Sequence, residues 1–112
     1  MTKDTITFED FQKVDLRIGT IIEVQDFEKA KKPAYKLKVD FGTLGVKSSS
    51  AQITALYSKE ELLGKQVIAV VNFAPRQIGN FMSEILVLGI QNGEEVVLLH
   101  SRDQAKNGKI IS

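Results

Sequence analysis

Two apolar runs of strand length, residues 67–71 and 85–88, flank a polar segment that contains proline and glycine. Continuous apolar runs of this length are typical of strands buried on both faces, and we predict two such strands here. The segment between them, residues 72–83, is predicted to be a loop, because Pro75 lacks a backbone donor and Gly79 favours a turn. Polar loops held between core strands commonly present binding residues, and this one carries Arg76.

Alternation of apolar and polar residues predicts two further strands nearer the N-terminus. In the first, Gly19 is predicted to mark a bulge or a strongly coiled position. One face of that strand is predicted to carry Leu16, Ile18, Thr20, Ile22 and Val24. In the second, lysines and an aspartate occupy the outer face, and the inward positions are Tyr35, Leu37, Val39 and Phe41.

Capping signals predict two short helices. Residues 7–10 resemble a capping box, and Phe8 and Phe11 follow at helical spacing, which predicts an amphipathic N-terminal helix with an aromatic face. Residues 58–61 form a second capping box, and Gly64 is predicted to end the helix that it opens.

The order of these elements is that of a small barrel. A weaker strand is predicted at residues 46–50, and an Asn-Gly turn at residues 92–93 predicts a hairpin leading into residues 96–99. Five core strands with a helix between the third and fourth match the OB-fold, a five-stranded Greek-key barrel. We therefore predict an all-β domain over residues 1–112, with an N-terminal helical segment (1–14) and a C-terminal extension (96–112) appended to the barrel.

Length and composition narrow the class of protein. A chain of 112 residues fits one domain with its own core. It contains no cysteine, which excludes disulfides, thiol nucleophiles and thiolate metal sites. The N-terminus lacks the apolar core of a signal peptide, and no apolar run approaches the roughly 18 residues that span a bilayer. We expect a cytoplasmic protein.

Charge is segregated along the chain although the net charge is only +1. The first 28 residues contain seven acids and three bases, whereas residues 29–47 contain six lysines and one aspartate. Such asymmetry is expected when one face meets a polyanion. Lysines also solubilise loops and sheet edges, and composition alone leaves both explanations open.

The positions of the basic residues favour nucleic acid. OB-folds commonly bind ligands across strands 2 and 3 and the loops joining strands 1 to 2 and 4 to 5. Here these elements are the loop with Lys29, Lys31 and Lys32, the strand with Lys36 and Lys38, and the segment with Arg76. All three elements carry positive charge.

The chain also resembles the tRNA-binding domain family, an OB-fold module found attached to methionyl- and phenylalanyl-tRNA synthetases and as free-standing dimers. The shared motifs are Asp-Leu-Arg-Ile-Gly-Thr-Ile (15–21), Val-Asp-Phe-Gly (39–42), Val-Val-Asn-Phe (70–73) and Pro-Arg (75–76). The motifs at 48–54 and 83–89 draw it toward a free-standing branch that acts in protein secretion. Synthetase-attached modules typically have Ser-Gly and Ser-x-Gly-Met where this chain has Ser50-Ala51 and the sequence of residues 83–86.

The resemblance implies tRNA binding without catalysis, and it implies a second activity as a chaperone for exported or unfolded polypeptides. RNA duplexes are recognised mainly by phosphate and 2′-hydroxyl contacts, and unpaired bases stack on aromatic rings. Phe73 and Phe81 are candidates for stacking, with a core position as the alternative for Phe73, and a salt bridge within its loop is the alternative for Arg76. The predicted RNA-binding residues are Lys36, Lys38, Asn72, Arg76 and Ser83.

An apolar groove rimmed by positive charge is the surface expected of a polypeptide chaperone. Its predicted residues are Phe73, Ile78, Phe81 and Met82. The resemblance further implies a homodimer built from segments outside the barrel. Its predicted interface residues are Phe8, Phe11, Ile110 and Ile111.

Enzymatic activity is not expected. His100 is the only histidine and is interpreted as a partly buried residue at a strand end. The serines at 48–50 have no evident base or oxyanion site, and the sequence has no phosphate loop or metal-ligand spacing. We therefore predict no catalytic residues, no metal and no cofactor.

Overall fold

A computed structural model of the chain describes residues 1–28 and 30–112. Lys29, one of the lysines predicted in the loop after the first strand, lies outside the described residues.

Short helices and ten strands make up the described chain. The helical elements are α1 (Phe8–Gln12), a 3₁₀ turn (Gly42–Leu44) and α2 (Lys59–Leu62). The strands of the main sheet are β1 (Leu16–Asp26), β2 (Tyr35–Asp40), β3 (Val46–Ala51), β4 (Gln66–Val70), β7 (Leu86–Val87) and β10 (Ile110–Ile111). Two separate hairpins are formed by β5 (Arg76–Ile78) with β6 (Phe81–Ser83), and by β8 (Gly89–Asn92) with β9 (Glu95–Leu98).

The main sheet has the strand order β3-β2-β1-β4-β7, with β10 paired to β1, and all pairs are antiparallel. It curls into a nearly closed five-stranded barrel, which confirms the predicted OB-fold class. Both capping boxes form as predicted: Thr7 and Asp10 cap α1, and Ser58 and Glu61 cap α2.

Hydrogen bonds between β3 and the segment after β6 close the barrel seam. The Glu84 backbone N–H donates to the Ser48 carbonyl at 2.8 Å, and the Ser48 N–H donates to the Glu84 carboxylate at 3.0 Å. Ser49 Oγ donates to the Ile85 carbonyl at 3.3 Å. Glu84 thus acts as a side-chain and backbone partner for a strand edge that the sheet ladder leaves unpaired.

The inward faces of β1, β2 and β4 form the core. Along β2 and the residue that follows it the predicted alternation is confirmed, because the four inward positions are all buried: Tyr35, Leu37, Val39 and Phe41. In β1 the prediction is wrong at Ile22, which is 48% exposed, while its neighbour Ile21 is fully buried. The ladder with β2 shifts register between Ile21 and Glu23, and after this shift Val24 packs against the core.

The bulge, at Ile22, lies three residues beyond the predicted Gly19. Gly19 has a different role, because a Cβ there would lie 2.7 Å from both the Phe41 ring and the Val39 side chain. The absence of a side chain lets the Phe41 ring pack directly on the strand backbone.

Residues 72–83 are not a plain loop, and that prediction is wrong. Pro75 precedes β5, where its missing donor breaks no ladder bond, and Gly79 at φ 61° supplies the turn between β5 and β6. The predicted apolar strand at residues 85–88 is also shorter than expected. Only Leu86–Val87 are in a strand, and Leu86 is 49% exposed because this strand lies at the sheet edge.

Candidate functional site

A groove of about 1100 Å³ opens between the loop after β1, the edge of β3, the β5–β6 hairpin and strands β7 to β9. The basic residues described on its wall are Lys31, Lys32 and Arg76. Phe73, which is 56% exposed, and the half-buried Ile78 supply apolar surface. The groove thus combines positive charge with exposed apolar groups at the place where OB-folds commonly bind ligands.

The structure brings some of the predicted site residues to this groove and leaves others beside it. Arg76 and Ser83 of the predicted RNA-binding set line it, as do Phe73 and Ile78 of the predicted peptide-binding set. The other predicted residues lie outside the lining: Lys36, Lys38, Asn72, Phe81 and Met82.

Arg76 is exposed at the start of β5. Within residues 1–28 and 30–112 it has no ion-pair partner, so the salt bridge considered as its alternative role is not found there. Its guanidinium keeps its donors available for an anionic ligand.

Lys36 lies in β2 beside two aromatic rings. Its Nζ is 5.3 Å from the centroid of the Phe27 ring and 5.6 Å from that of the Phe81 ring. The two rings contact each other edge to face, with centroids 5.4 Å apart. Phe27 is buried and directly follows β1, Lys36 is the second residue of β2, and Phe81 begins β6. The cluster therefore joins the end of β1, the start of β2 and the β5–β6 hairpin.

Lys38 differs from Lys36 although both belong to the outer face of β2. Its Nζ lies 3.9 Å from the Glu23 carboxylate on β1, directly across the ladder. A nearby carboxylate offsets part of the positive charge, so Lys38 attracts a polyanion less than an unpaired lysine would.

Asn72 and Ser83 already make hydrogen bonds within the chain. Asn72 accepts from the Asp15 backbone N–H at 3.0 Å and donates to the Lys13 carbonyl at 2.7 Å. The amide therefore ties the segment before β1 to the end of β4. Ser83 Oγ accepts from the Ser50 N–H at 3.3 Å, which leaves its hydroxyl hydrogen available.

Glu84 contributes the negative charge on the groove wall. Its carboxylate accepts the Ser48 N–H, so its position is set by the barrel seam. Other charged pairs serve the fold: the hydrogen bond to Asp15 raises the pKa of Arg17, and the one to Asp26 raises the pKa of Lys59. Both cations therefore stay charged at neutral pH.

The sequence-based site omitted Phe27, Lys31 and Lys32. The two lysines were recognised as part of a basic loop, and their position between strands 1 and 2 of an OB-fold was the available signal. Nothing in the local sequence marks Phe27 as a neighbour of Lys36, since the contact depends on the barrel bringing three elements together.

The predicted interface residues differ in their exposure. Phe8 is 71% exposed, Phe11 36% and Ile110 64%, while Ile111 is half-buried where β10 pairs with β1. His100 is exposed and outside any strand, contrary to its interpretation as a partly buried strand residue.

Two further findings concern the described part of the chain. It contains no group of three or more His, Asp or Glu side chains placed to hold a metal ion. None of its helices is long and apolar enough to cross a membrane.

Solved structures of two known proteins are similar to this structure over nearly the whole chain. The chaperone CsaA of Bacillus anthracis is 48% identical, with a TM-score of 0.92 over 97% of this chain and all of that one. The CsaA chaperone of Picrophilus torridus is 55% identical, also with a TM-score of 0.92, over 96% of this chain and all of that one.

The curated relatives that match this chain are much longer than it is. The methionine–tRNA ligase of Pyrococcus horikoshii is 42% identical over 103 residues, which is 92% of this chain and 14% of the ligase. Across the first such relatives the chain spans 14% to 16% of their length. The family model described as "Putative tRNA binding domain" matches residues 16–110, from the start of β1 into β10. With these relatives, that match shows that the chain belongs to the tRNA-binding domain family.

Proposed function

We propose that this protein binds tRNA without catalysing a reaction, through contacts to the RNA backbone and to its shape. The observation that carries the proposal is the groove, where Lys31, Lys32 and Arg76 form a basic wall on a member of the tRNA-binding domain family. Lys36 adds a further cation on β2, at the edge of this surface. Since tRNA is a cytoplasmic partner, the cytoplasm is the proposed location.

Recognition by backbone contact fits the side chains available. Lysine and arginine meet phosphates, whereas reading bases in a duplex requires side chains that reach their edges. In the proposed complex Arg76, Lys31, Lys32 and Lys36 contact phosphates, Ser83 donates its hydroxyl hydrogen, and Phe73 stacks on an unpaired base. Lys38 contributes less because it is paired with Glu23. Asn72 contributes less because its amide is hydrogen-bonded to the N-terminal segment.

The test is tRNA binding by wild type, Arg76→Ala and Lys36→Ala over a series of salt concentrations. Lys65→Ala is the matched control, since Lys65 lies in the turn between α2 and β4 and lines none of the groove. Each phosphate neutralised contributes about −0.9 to the slope of log affinity against log salt, so a few contacts predict a slope of about −2 to −4 per chain.

Both site variants should weaken binding and flatten this slope, with melting temperatures close to that of wild type. The control should match wild type in affinity and slope. If the double variant Arg76→Ala, Lys36→Ala binds tRNA as tightly as wild type, this surface is not the tRNA site.

A second function, binding of unfolded or exported polypeptides, is favoured by the exposed Phe73 and by Ile78 on the same groove wall. The two CsaA structures, described as chaperones, also support it. For an extended peptide with acidic and apolar side chains, the basic wall would speed association, and the apolar groups would slow dissociation. We propose that RNA and polypeptide exclude each other there.

Competition tests this sharing directly. Excess tRNA should displace a fluorescent unfolded polypeptide, and Phe73→Ser should weaken the peptide more than the RNA. Unchanged peptide affinity at saturating tRNA would show that the ligands occupy separate sites.

We also propose a two-fold symmetric homodimer. Phe8 and Phe11 on α1 and Ile110 on β10 expose apolar surface that the barrel does not cover, and isologous pairing is the commonest way to bury such a surface. The segments 1–14 and 96–112 supply the interface in this proposal.

A further inference from the structure

We infer that Phe27 and Phe81 are positioning residues, which hold the Lys36 ammonium ready for an RNA phosphate; the inference rests on the proposed tRNA binding. The Lys36 Nζ lies near both rings, at 5.3 Å and 5.6 Å from their centroids. The rings hold each other edge to face at 5.4 Å, and Phe27 is 5% exposed. The cluster is thus anchored on the core side by Phe27, and Lys36 itself is half-buried.

Aromatic faces hold a cation in a way that carboxylates do not. The ring quadrupole attracts the positive charge but adds no negative charge, and it takes up none of the hydrogen-bond donors of the ammonium. Within the described chain, Lys38 and Lys59 are each paired with a carboxylate, whereas Lys36 has no such partner. Lys36 therefore retains its full charge and its three donors while its long side chain is restrained.

Restraint matters because lysine loses much rotamer freedom when it is fixed on a ligand. A lysine already held in place loses less on binding. The β1–β2 register also shows what the rings prevent. Lys36 faces Gln25 and Lys38 faces Glu23, so Glu23 is a diagonal neighbour on the same sheet face, within reach of a lysine freed from its aromatic contacts.

The aromatic contact also positions the β5–β6 hairpin. Phe81 is paired with Ile78 across the β5–β6 hairpin, and Arg76 is paired with Ser83 on the same hairpin. Contact between Phe81 and Phe27 therefore anchors the hairpin that carries Arg76 next to the loop that carries Lys31 and Lys32. An effect of Phe81 through Lys36 must be separated from an effect through Arg76 or through base stacking.

A double-mutant cycle makes this separation, because residues that act through one another give non-additive losses. The proteins compared are wild type, Phe81→Leu, Phe81→Tyr, Lys36→Ala and the double variant Phe81→Leu, Lys36→Ala, with tRNA as the probe. Phe81 is half-buried on a peripheral hairpin, so Phe81→Leu should stay folded, and Phe81→Met replaces it if its melting temperature falls.

We expect Phe81→Leu to weaken tRNA binding about threefold to tenfold, Phe81→Tyr to bind like wild type, and Phe81→Leu to have no further effect in the Lys36→Ala background. In the free protein, ring currents should shift the Lys36 side-chain proton resonances upfield, and Phe81→Leu should reduce that shift.

Wild-type affinity in Phe81→Leu, or an equal loss with and without Lys36, would overturn the inference while leaving tRNA binding intact. Unshifted Lys36 resonances in the free wild type would overturn it whatever the RNA result. Failure of wild type itself to bind tRNA would instead overturn the proposed function on which the inference rests.

Discussion

At the scale of single residues, neighbours decide what each side chain does. Lys36 and Lys38 are two positions apart on one face of β2, yet one lies beside aromatic rings and the other beside Glu23. Arg17 is equally cationic, but it donates to Asp15 and to the Gly108 carbonyl and so joins β1 to the C-terminal segment. Charge alone therefore does not identify a binding residue.

Gly19 yields a prediction at this scale. Gly19→Ala should lower the free energy of unfolding by about 1 to 3 kcal/mol, because the new Cβ would lie 2.7 Å from the Phe41 ring in a well-packed core. Urea unfolding measures the loss. The control combines Gly19→Ala with Phe41→Leu. The double variant should lose less stability than the sum of the two single-variant losses, since the smaller side chain at position 41 relieves the overlap. Strict additivity would contradict a steric cause.

At the scale of elements, the barrel seam and the β5–β6 hairpin place the groove. Glu84 follows β6 and completes the edge of β3, so the same residue fixes the hairpin and adds an acid to the groove wall. A strand edge closed by a side chain is weaker than a full ladder, and it makes one residue responsible for both stability and charge.

Two substitutions of Glu84 separate these roles. Glu84→Gln keeps an oxygen that accepts the Ser48 N–H, so its melting temperature should stay near that of wild type, while the lost negative charge should strengthen tRNA binding. Glu84→Ala leaves the half-buried Ser48 N–H without that acceptor and should lower stability by about 1 to 3 kcal/mol. Equal stability losses in the two variants would show that the hydrogen bond does not support the seam.

At the scale of the whole molecule, the basic groove and the apolar residues exposed on α1 and β10 have no residue in common. The groove carries Lys31, Lys32 and Arg76, whereas α1 and β10 expose Phe8 and Ile110. One surface suits a polyanion, and the other suits a second copy of this chain.

Light scattering at low micromolar concentration should give twice the chain mass. Phe11→Asp should shift the protein toward monomer, because it would place a charge in the buried centre of the proposed interface. Leu63→Asp is the matched control, since Leu63 is 51% exposed at the end of α2 and belongs to neither proposed interface segment, so this variant should leave the mass unchanged. A monomeric wild type would refute the dimer.

Local patterns were sufficient for much of this fold. The alternation of Tyr35, Leu37, Val39 and Phe41 predicted the buried face of β2, and the capping boxes predicted where α1 and α2 begin. These features depend on residues within a few positions of one another. The order of strands and the basic elements likewise led to the OB-fold and to the region of the groove.

Tertiary structure decided the features that depend on residues distant in sequence. The bulge after Ile21 follows from pairing with β2, and the barrel buries Ile21 while leaving Ile22 exposed, contrary to the predicted face of Ile22. Pro75 and Gly79 were interpreted as signals of a loop, but pairing of β5 with β6 makes them the boundary and turn of a hairpin. The sequence by itself determined which residues are basic, apolar or capping. Only the folded barrel determined which of them meet, because Phe27, Lys36 and Phe81 come together through contacts that no local pattern encodes.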